Sequence, residues 1–333
     1  MARTRALVLA AGLGERLRPL TLEIPKPLLP VAGRPVAAYA LDALARAGCA
    51  AAAVNLHHLG GLVRAGLGEA WRGVPIHYSD ESRALLGTGG ALPALAGFLA
   101  GADCLILVNG DSLCRWPFER LLAEHRRGRS AVTLLVSRRA DPGRFGGGVA
   151  IERGRVVAFR RGALAWQSAP AKRVFAGAAV LDPGLVARLP PGASDIVSAL
   201  YEPLLADGHS IAAVETARAW HDLGTPRRYL EGALEFALAG LPPRASRIGP
   251  GVELGARARV EGCALEAGAR VGPGARLRRA LVLGGAHVGA GARVVASVVG
   301  PGVEIAPGAE VEATLLTRAP GGGAPVATPL ERD

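Results

Sequence analysis

A glycine turn followed by two cations lies near the start of the chain. Leu9-Ala10-Ala11-Gly12-Leu13-Gly14-Glu15-Arg16-Leu17-Arg18-Pro19 runs on to Lys26-Pro27. Glycines let backbone N–H groups approach an anion closely. Arg16 adds a two-pronged guanidinium and Lys26 a point charge. Together they suit a polyphosphate, although the spacing is neither the Walker pattern nor Gly-x-Gly-x-x-Gly. Gly12-x-Gly14 alone would read as a tight strand-to-loop turn with solvated charges. Gly146-Gly147-Gly148 reads as a hairpin, or a close backbone approach to a substrate, rather than a phosphate loop. His57-His58 has no metal-ligand companions and reads as helix-start surface.

These groups need a rigid support, and residues 5–240 provide an alternation of strand-like and helix-like stretches. Arg5–Ala10, Ala50–Asn55, Val74–Tyr78 and Cys104–Val108 are apolar runs of strand length. Arg34–Gly48 and Thr88–Leu99 carry helical patterns, with Gly48 as a C-cap. The alternation predicts an α/β domain, Rossmann-like, with a mainly parallel sheet and its site at the carboxyl ends of the strands.

After Pro242-Pro243 the pattern changes. Leu254, Val271, Val288 and Ile305 recur every 17 residues. Val260, Leu277, Val294 and Val311 keep that period, as do Leu265, Val282, Val299 and Leu316. Three apolar positions per repeat, the first followed by Gly255, Gly272 or Gly289, predict a three-sided coil of short strands. It resembles the hexapeptide-repeat left-handed β-helix. The expected domains are a catalytic domain over 1–240, a linker over 241–247, a β-helix over 248–318 and a disordered tail over 319–333. The β-helix is expected to be structural rather than chemical, joining subunits of a homo-oligomer or docking on its own catalytic domain, with His287 a solvated coil residue.

Composition narrows the partners. The formal charge is +11, yet Lys26 and Lys172 are the sole lysines and the arginines are scattered. No basic helix is interleaved with aromatics, so nucleic acid is not an expected partner, and a small polyanion accounts for a positive cleft equally well. No apolar run reaches membrane-spanning length, and the N-terminal apolar run is too short for a signal peptide. Four cysteines without CxxC spacing fit a reducing cytoplasm.

The segment AAGLGERLRPLTLEIPKPLLPVAGRP closely resembles the signature of the sugar nucleotidyltransferases, or NDP-sugar pyrophosphorylases. The resemblance runs over about residues 5–237 and continues in order through Leu86-Gly87-Thr88-Gly89-Gly90, Val108-Asn109-Gly110-Asp111, Phe175-Ala176-Gly177 and Trp220-His221-Asp222-Leu223-Gly224-Thr225-Pro226. It implies transfer of a nucleotidyl group from an NTP to a sugar 1-phosphate, with release of pyrophosphate. Ala11, Gly12, Gly14, Arg16 and Lys26 would then cradle the triphosphate, with Arg16, Lys26 and Asp111 closest to the chemistry. Gly87, Thr88 and Gly110 would contact the nucleotide. Gly148, Arg161 and Gly177 would face the sugar phosphate, and Asp111 and Asp222 would hold Mg²⁺, which takes hard oxygen ligands.

Where the family carries Glu-Lys-Pro, this sequence has Arg160-Arg161-Gly162. Arg161 can replace a phosphate-binding lysine, but Arg160 cannot replace a glutamate that accepts hydrogen bonds from sugar hydroxyls. Asn55–His58 and the Leu-Gly-Thr-Gly-Gly loop resemble the mannose-1-phosphate guanylyltransferase branch, which favours GTP. Uridylyl or thymidylyl transfer to N-acetylmuramate 1-phosphate or glucose 1-phosphate is the alternative, as is a silent sugar-nucleotide-binding subunit. Acetyl transfer by the β-helix would need a catalytic histidine pair that the sequence lacks.

Overall fold

The computed structural model describes residues 3–128, 130–145, 147–159, 164–319 and 322–330. Two compact units interleave along the chain. The first holds Met1–Leu13, Pro25–Pro27 and Ala37–Trp220; the second holds Gly14–Ile24, Leu28–Val36 and His221–Asp333. Residues 1–240 therefore contribute to both.

The first unit is built on one ten-stranded sheet. Its strands are β1 (Thr4–Leu9), β2 (Ala51–Leu56), β3 (Val74–Asp80), β4 (Cys104–Asn109), β5 (Val132–Ser137), β6 (Gly148–Glu152), β7 (Arg155–Ala158), β8 (Ala171–Leu181) and β9 (Ile211–Thr216), with Ala70–Trp71 at one edge. The spatial order is β6-β7-β9-β5-β8-β4-β1-β2-β3 and then the edge strand. Strands β4, β1, β2 and β3 run parallel, as the βαβ pattern predicts. The other half is mixed. β8 lies antiparallel to both β4 and β5, and β6 pairs antiparallel with β7 and β8. In this half only β6 and β7 are joined by a connection too short for a crossover helix, Arg153-Gly154. β8 meets β4 and β5 across long stretches of chain. Leu7, Leu105, Leu107, Leu134, Val136 and Leu181 are fully or almost fully buried in the core on this sheet.

Helix α1 (Val36–Arg46) stops before Gly48, whose φ of 70° suits a C-terminal cap. The helix expected over Thr88–Leu99 is instead three short turns, Gly87–Gly90, Pro93–Leu95 and Ala96–Leu99. Pro93 lacks an N–H and Gly89-Gly90 is a weak helix former, so the ladder does not propagate.

In the second unit the 17-residue period becomes three parallel sheets. Strands at Glu253, Arg270, His287 and Glu304 stack in one, those at Arg259, Arg276, Arg293 and Glu310 in another, and those at Arg247, Ala264, Leu281, Val298 and Thr314 in the third. Each coil pairs with the next 17 residues on, as in Leu254 with Val271 and Leu277 with Val294. The apolar columns close a dry core, in which each fully buried Val or Leu contributes about 1.5–3 kcal/mol. The corner glycines are required by stacking. A Cβ on Gly272 would lie 2.6 Å from the Ala290 nitrogen, and one on Gly255 2.4 Å from that of Pro273. The tail is not uniformly without order. Val326–Pro329 forms a strand antiparallel to Thr314–Thr317, where it covers the last edge of one sheet. Among the described residues no helix is long and apolar enough to cross a membrane.

Candidate active site

In the first unit the glycine turn leaves β1 at the sheet's carboxyl edge. Ala10 donates its N–H to Asn55 Oδ1 at 2.7 Å, and Asn55 Nδ2 donates to Glu81 Oε1 at 2.8 Å. The other oxygen of Glu81 accepts the Leu86 N–H at 2.9 Å. Asn55 and Glu81 are both 2% exposed. A buried polar chain therefore ties the start of the signature turn to the loop that begins at Leu86. Glu81 escaped the sequence reading because it belongs to no motif; its one signal is an acid placed directly after a strand. His57, read as surface, rests its Nδ1 2.7 Å from the Glu81 carbonyl.

Ala11 is buried, whereas Gly12 is exposed. An added Cβ at Gly12 would meet no protein atom within 4 Å, and its φ lies outside the left-handed region. The fold does not require glycine at this position.

The Leu86–Gly90 loop is seated on residues 192–196. Gly87 has φ +73°, and a Cβ there would fall 2.6 Å from the Ser194 carbonyl oxygen. Gly89 N donates to that carbonyl at 2.9 Å. Thr88 Oγ1 donates to Asp195 Oδ2 at 3.1 Å and accepts the Ile196 N–H at 2.9 Å. The Thr88 hydroxyl thus fixes the loop. Ser194–Ile196 gave no sequence signal, because their role is set by a neighbour more than 100 residues away.

β4 ends at Asn109 and carries Gly110-Asp111 out of the sheet. Gly110 N donates to the Leu9 carbonyl at 2.8 Å, and a Cβ would strike Val8 Cγ1 at 2.8 Å. Only glycine lets this turn press on β1. Asp111 is thereby placed with its Oδ2 2.6 Å from Lys26 Nζ.

Gly177 sits in a bulge of β8, where the register against β5 shifts. Its φ is 74° and a Cβ would lie 2.5 Å from Asn109 Nδ2. Trp220 Nε1 donates to the Ala176 carbonyl beside it at 2.8 Å. Gly148 begins β6, and its missing Cβ makes room for the Trp166 ring at 2.5 Å. Gly147, Gly148, Phe159, Phe175, Asp195 and Glu202 line a cavity of about 320 Å³. Arg160 and Arg161 lie outside the described residues, as does Gly146.

In the second unit Gly14 takes the left-handed φ of 64°, and its carbonyl accepts the Thr21 hydroxyl at 2.8 Å. Arg16 Nη2 stands 3.9 Å from Asp222 Oδ2, and Arg228 Nη1 bonds the same oxygen at 3.0 Å. Arg228, eleven per cent exposed, is the more buried partner and was missed in the sequence. Helix α2 (Pro226–Ala237) is capped by Thr225, which accepts the Arg228 N–H, so Asp222 is not spent as a cap. Gly224 leaves room for Arg16, since a Cβ there would sit 2.4 Å from its Nη2. His287 is exposed on its coil.

Among the described residues no group of three or more His, Cys, Asp or Glu side chains could hold a metal. Asp111 and Asp222, each about a quarter to a third exposed, offer carboxylate oxygens. Each aspartate, one in either unit, is the kind of hard oxygen donor that Mg²⁺ takes together with phosphate and water.

The profile of the nucleotidyl transferase family matches residues 5–237. The sequence is 34% identical over 252 residues to a mannose-1-phosphate guanylyltransferase of Mycobacterium tuberculosis, covering 75% of this chain and 69% of that one. It is 29% identical over 254 residues to a mannose-1-phosphate guanylyltransferase catalytic subunit beta of Drosophila pseudoobscura, covering 75% and 67%. A Bacillus anthracis structure assigned as a glucose-1-phosphate thymidylyltransferase shares the fold, with a TM-score of 0.62 at 22% identity over 71% of this chain and 96% of that one. With the profile spanning most of the sequence and the signature turn set at the carboxyl edge of its sheet, the chain belongs to the nucleotidyl transferase family of enzymes.

Proposed function

We propose that this protein is a Mg²⁺-dependent mannose-1-phosphate guanylyltransferase, which joins the guanylyl group of GTP to a sugar 1-phosphate and releases pyrophosphate. The 34% identity to the Mycobacterium tuberculosis guanylyltransferase carries this choice of base and sugar. Nucleotidyl transfer as a class rests on the family itself.

The nucleophile is already a phosphate anion, so no general base is needed. Catalysis is then positioning plus charge compensation. Backbone groups at Ala11, Gly12 and Gly14, with Arg16 and Lys26, hold the triphosphate and offset charge on the departing pyrophosphate. The lack of any fold requirement for glycine at position 12 supports a close approach by substrate. Gly87, Thr88 and Gly110 shape the nucleotide side. Gly177, Arg161 and the backbone at Gly148 receive the sugar phosphate. Mg²⁺, held through Asp111 and Asp222, supplies Lewis-acid neutralisation of the phosphates. The β-helix is the proposed contact between subunits of a homo-oligomer, and four free, buried cysteines fit a reducing cytoplasm.

The test is a matrix of four NTPs against mannose, glucose and N-acetylmuramate 1-phosphates, read by pyrophosphate release. Fastest turnover with GTP and mannose 1-phosphate is the expected result. A preference for UTP or dTTP transfers the assignment to the other branch. No turnover with any pair indicates a silent sugar-nucleotide-binding subunit.

A further inference from the structure

The second unit contains a buried carboxylate that the nucleotidyl transfer chemistry does not use. Glu266 follows the strand Ala264–Leu265 in the β-helix and is 5% exposed. Its Oε2 accepts the Gly33 N–H at 2.7 Å, and the Ala32 amide also helps to hold its charge. One coil earlier the equivalent position is Gly249, one coil later it is the buried Leu283, and after that Gly300. The solenoid itself therefore does not need an acid there.

The turn that Glu266 holds is strained. Pro30–Val31 pairs with Arg34–Pro35 as a hairpin joined by Ala32-Gly33 alone. Both linking residues are left-handed, with φ of 53° and 79°. Asn-Gly suits such a turn, whereas Ala32 carries a steric cost from its Cβ. The hairpin is gripped a second time by Tyr229 of α2, fully buried, whose hydroxyl donates to the Pro30 carbonyl at 2.7 Å. Burial pushes that hydroxyl well above its ordinary pKa, so it stays a donor. On one side the hairpin follows Lys26-Pro27 within a few residues, and on the other it leads directly into α1.

We infer that Glu266 is a positioning residue: by fixing the Ala32-Gly33 turn, the β-helix sets the conformation of the signature segment that carries Lys26. The β-helix then serves turnover within its own chain, beyond any part in assembly. This rests on the family's nucleotidyl transfer and on the role proposed for Lys26, but not on the choice of base or sugar. The carboxylate is a poor stabiliser, since burial raises its pKa against the opposing pull of the Gly33 and Ala32 amides and of Arg247. A costly buried acid fits a site kept for function rather than stability.

The experiment compares full-length Glu266→Leu and Glu266→Gln with the wild type, using whichever NTP and sugar 1-phosphate the wild type turns over. Leucine is the residue found one coil on, so the solenoid accommodates it; glutamine keeps an acceptor for Gly33. Glu266→Leu is expected to keep its melting temperature within a few degrees, to lose about tenfold in kcat, and to exchange the amides of residues 30–35 faster. Glu266→Gln is expected to stay within about twofold of wild type. Adding Ala32→Gly to Glu266→Leu should recover part of the lost kcat, because glycine relieves the strained φ. Unchanged turnover and exchange in Glu266→Leu would overturn the inference. So would a lower melting temperature with unchanged kcat, which marks a purely structural role, or equal losses in the leucine and glutamine variants, which would make charge rather than the turn's hydrogen bond responsible. The exchange measurement needs no substrate, so a wrong base or sugar assignment leaves it intact.

Discussion

Lys26 and Asp111, 85 positions apart in sequence, meet at 2.6 Å, with the lysine side chain 8% exposed and the aspartate 33%. The ammonium proposed to hold phosphate and the carboxylate proposed to hold a metal thus neutralise each other. In the proposed reaction this pair would be exchanged for phosphate oxygens on one side and a cation on the other. A buried charge is costly without a partner, so the two residues hold each other ready in place.

Asp111→Asn tests that arrangement. The variant keeps side-chain volume and an acceptor for Lys26, so it should fold, with a stability loss of about 1–2 kcal/mol. Turnover should drop about 100-fold or more, corresponding to roughly 2.7 kcal/mol of barrier. Near-wild-type kcat at saturating Mg²⁺, in a protein shown by circular dichroism to be folded, would remove Asp111 from the metal site.

Gly12→Ala separates substrate contact from fold. No protein atom lies within 4 Å of the new methyl group, so the melting temperature should not change. The KM for NTP should rise about tenfold, the loss caused by roughly 1.4 kcal/mol of steric clash with a closely bound phosphate. Gly110→Ala is the contrast, because its Cβ strikes Val8 at 2.8 Å and should lower stability first. An unchanged KM for every NTP in Gly12→Ala would move the triphosphate elsewhere.

The thiols should be inert in the native state. Burial pushes Cys49 and Cys263 up to about 11 and Cys114 to about 12. At pH 8 the thiolate fraction of each is about one in a thousand or less. A chromogenic disulfide reagent should label these three slowly before unfolding and all four cysteines of the chain promptly after it. Rapid labelling of Cys114 in folded protein would contradict the burial.

His125 should make the protein sensitive to mild acid. Its Nδ1 lies 2.9 Å from Thr133 Oγ1, and burial holds its pKa below the ordinary 6.5, with Asp182 pulling upward and Arg126 adding to the lowering. Below about pH 6.5 the unfolded chain takes a proton that the native site resists, so stability falls as pH falls. Melting temperatures measured between pH 7.5 and 5.5 should decline, and His125→Gln should flatten part of that decline. Identical pH profiles for the two proteins would show that His125 carries none of it.

The sequence by itself determined the parts whose physics is local. A period of 17 is a spacing, and it maps without slippage onto the stacked strands, because each coil hydrogen-bonds to the next in fixed register. The strands over residues 4–9, 51–56 and 104–109 are largely apolar runs of the right length, the strand over 74–80 alternates buried Val74 and Ile76 with exposed neighbours, and the signature turn is a contiguous string. The tertiary structure alone decided what lies on either side of a long separation. The antiparallel course of β8 is set by pairing with β4 and β5, strands that lie more than 30 residues earlier in the chain. The seat of Thr88 on Asp195 and the Glu81 bridge beneath the signature turn join residues that no periodicity relates. Glu266 reaches a turn 233 positions earlier. In the linear chain it is one acid in an Ala- and Gly-rich repeat. Its meaning comes from burial and from a strained pair of amides, which exist only once the chain has folded.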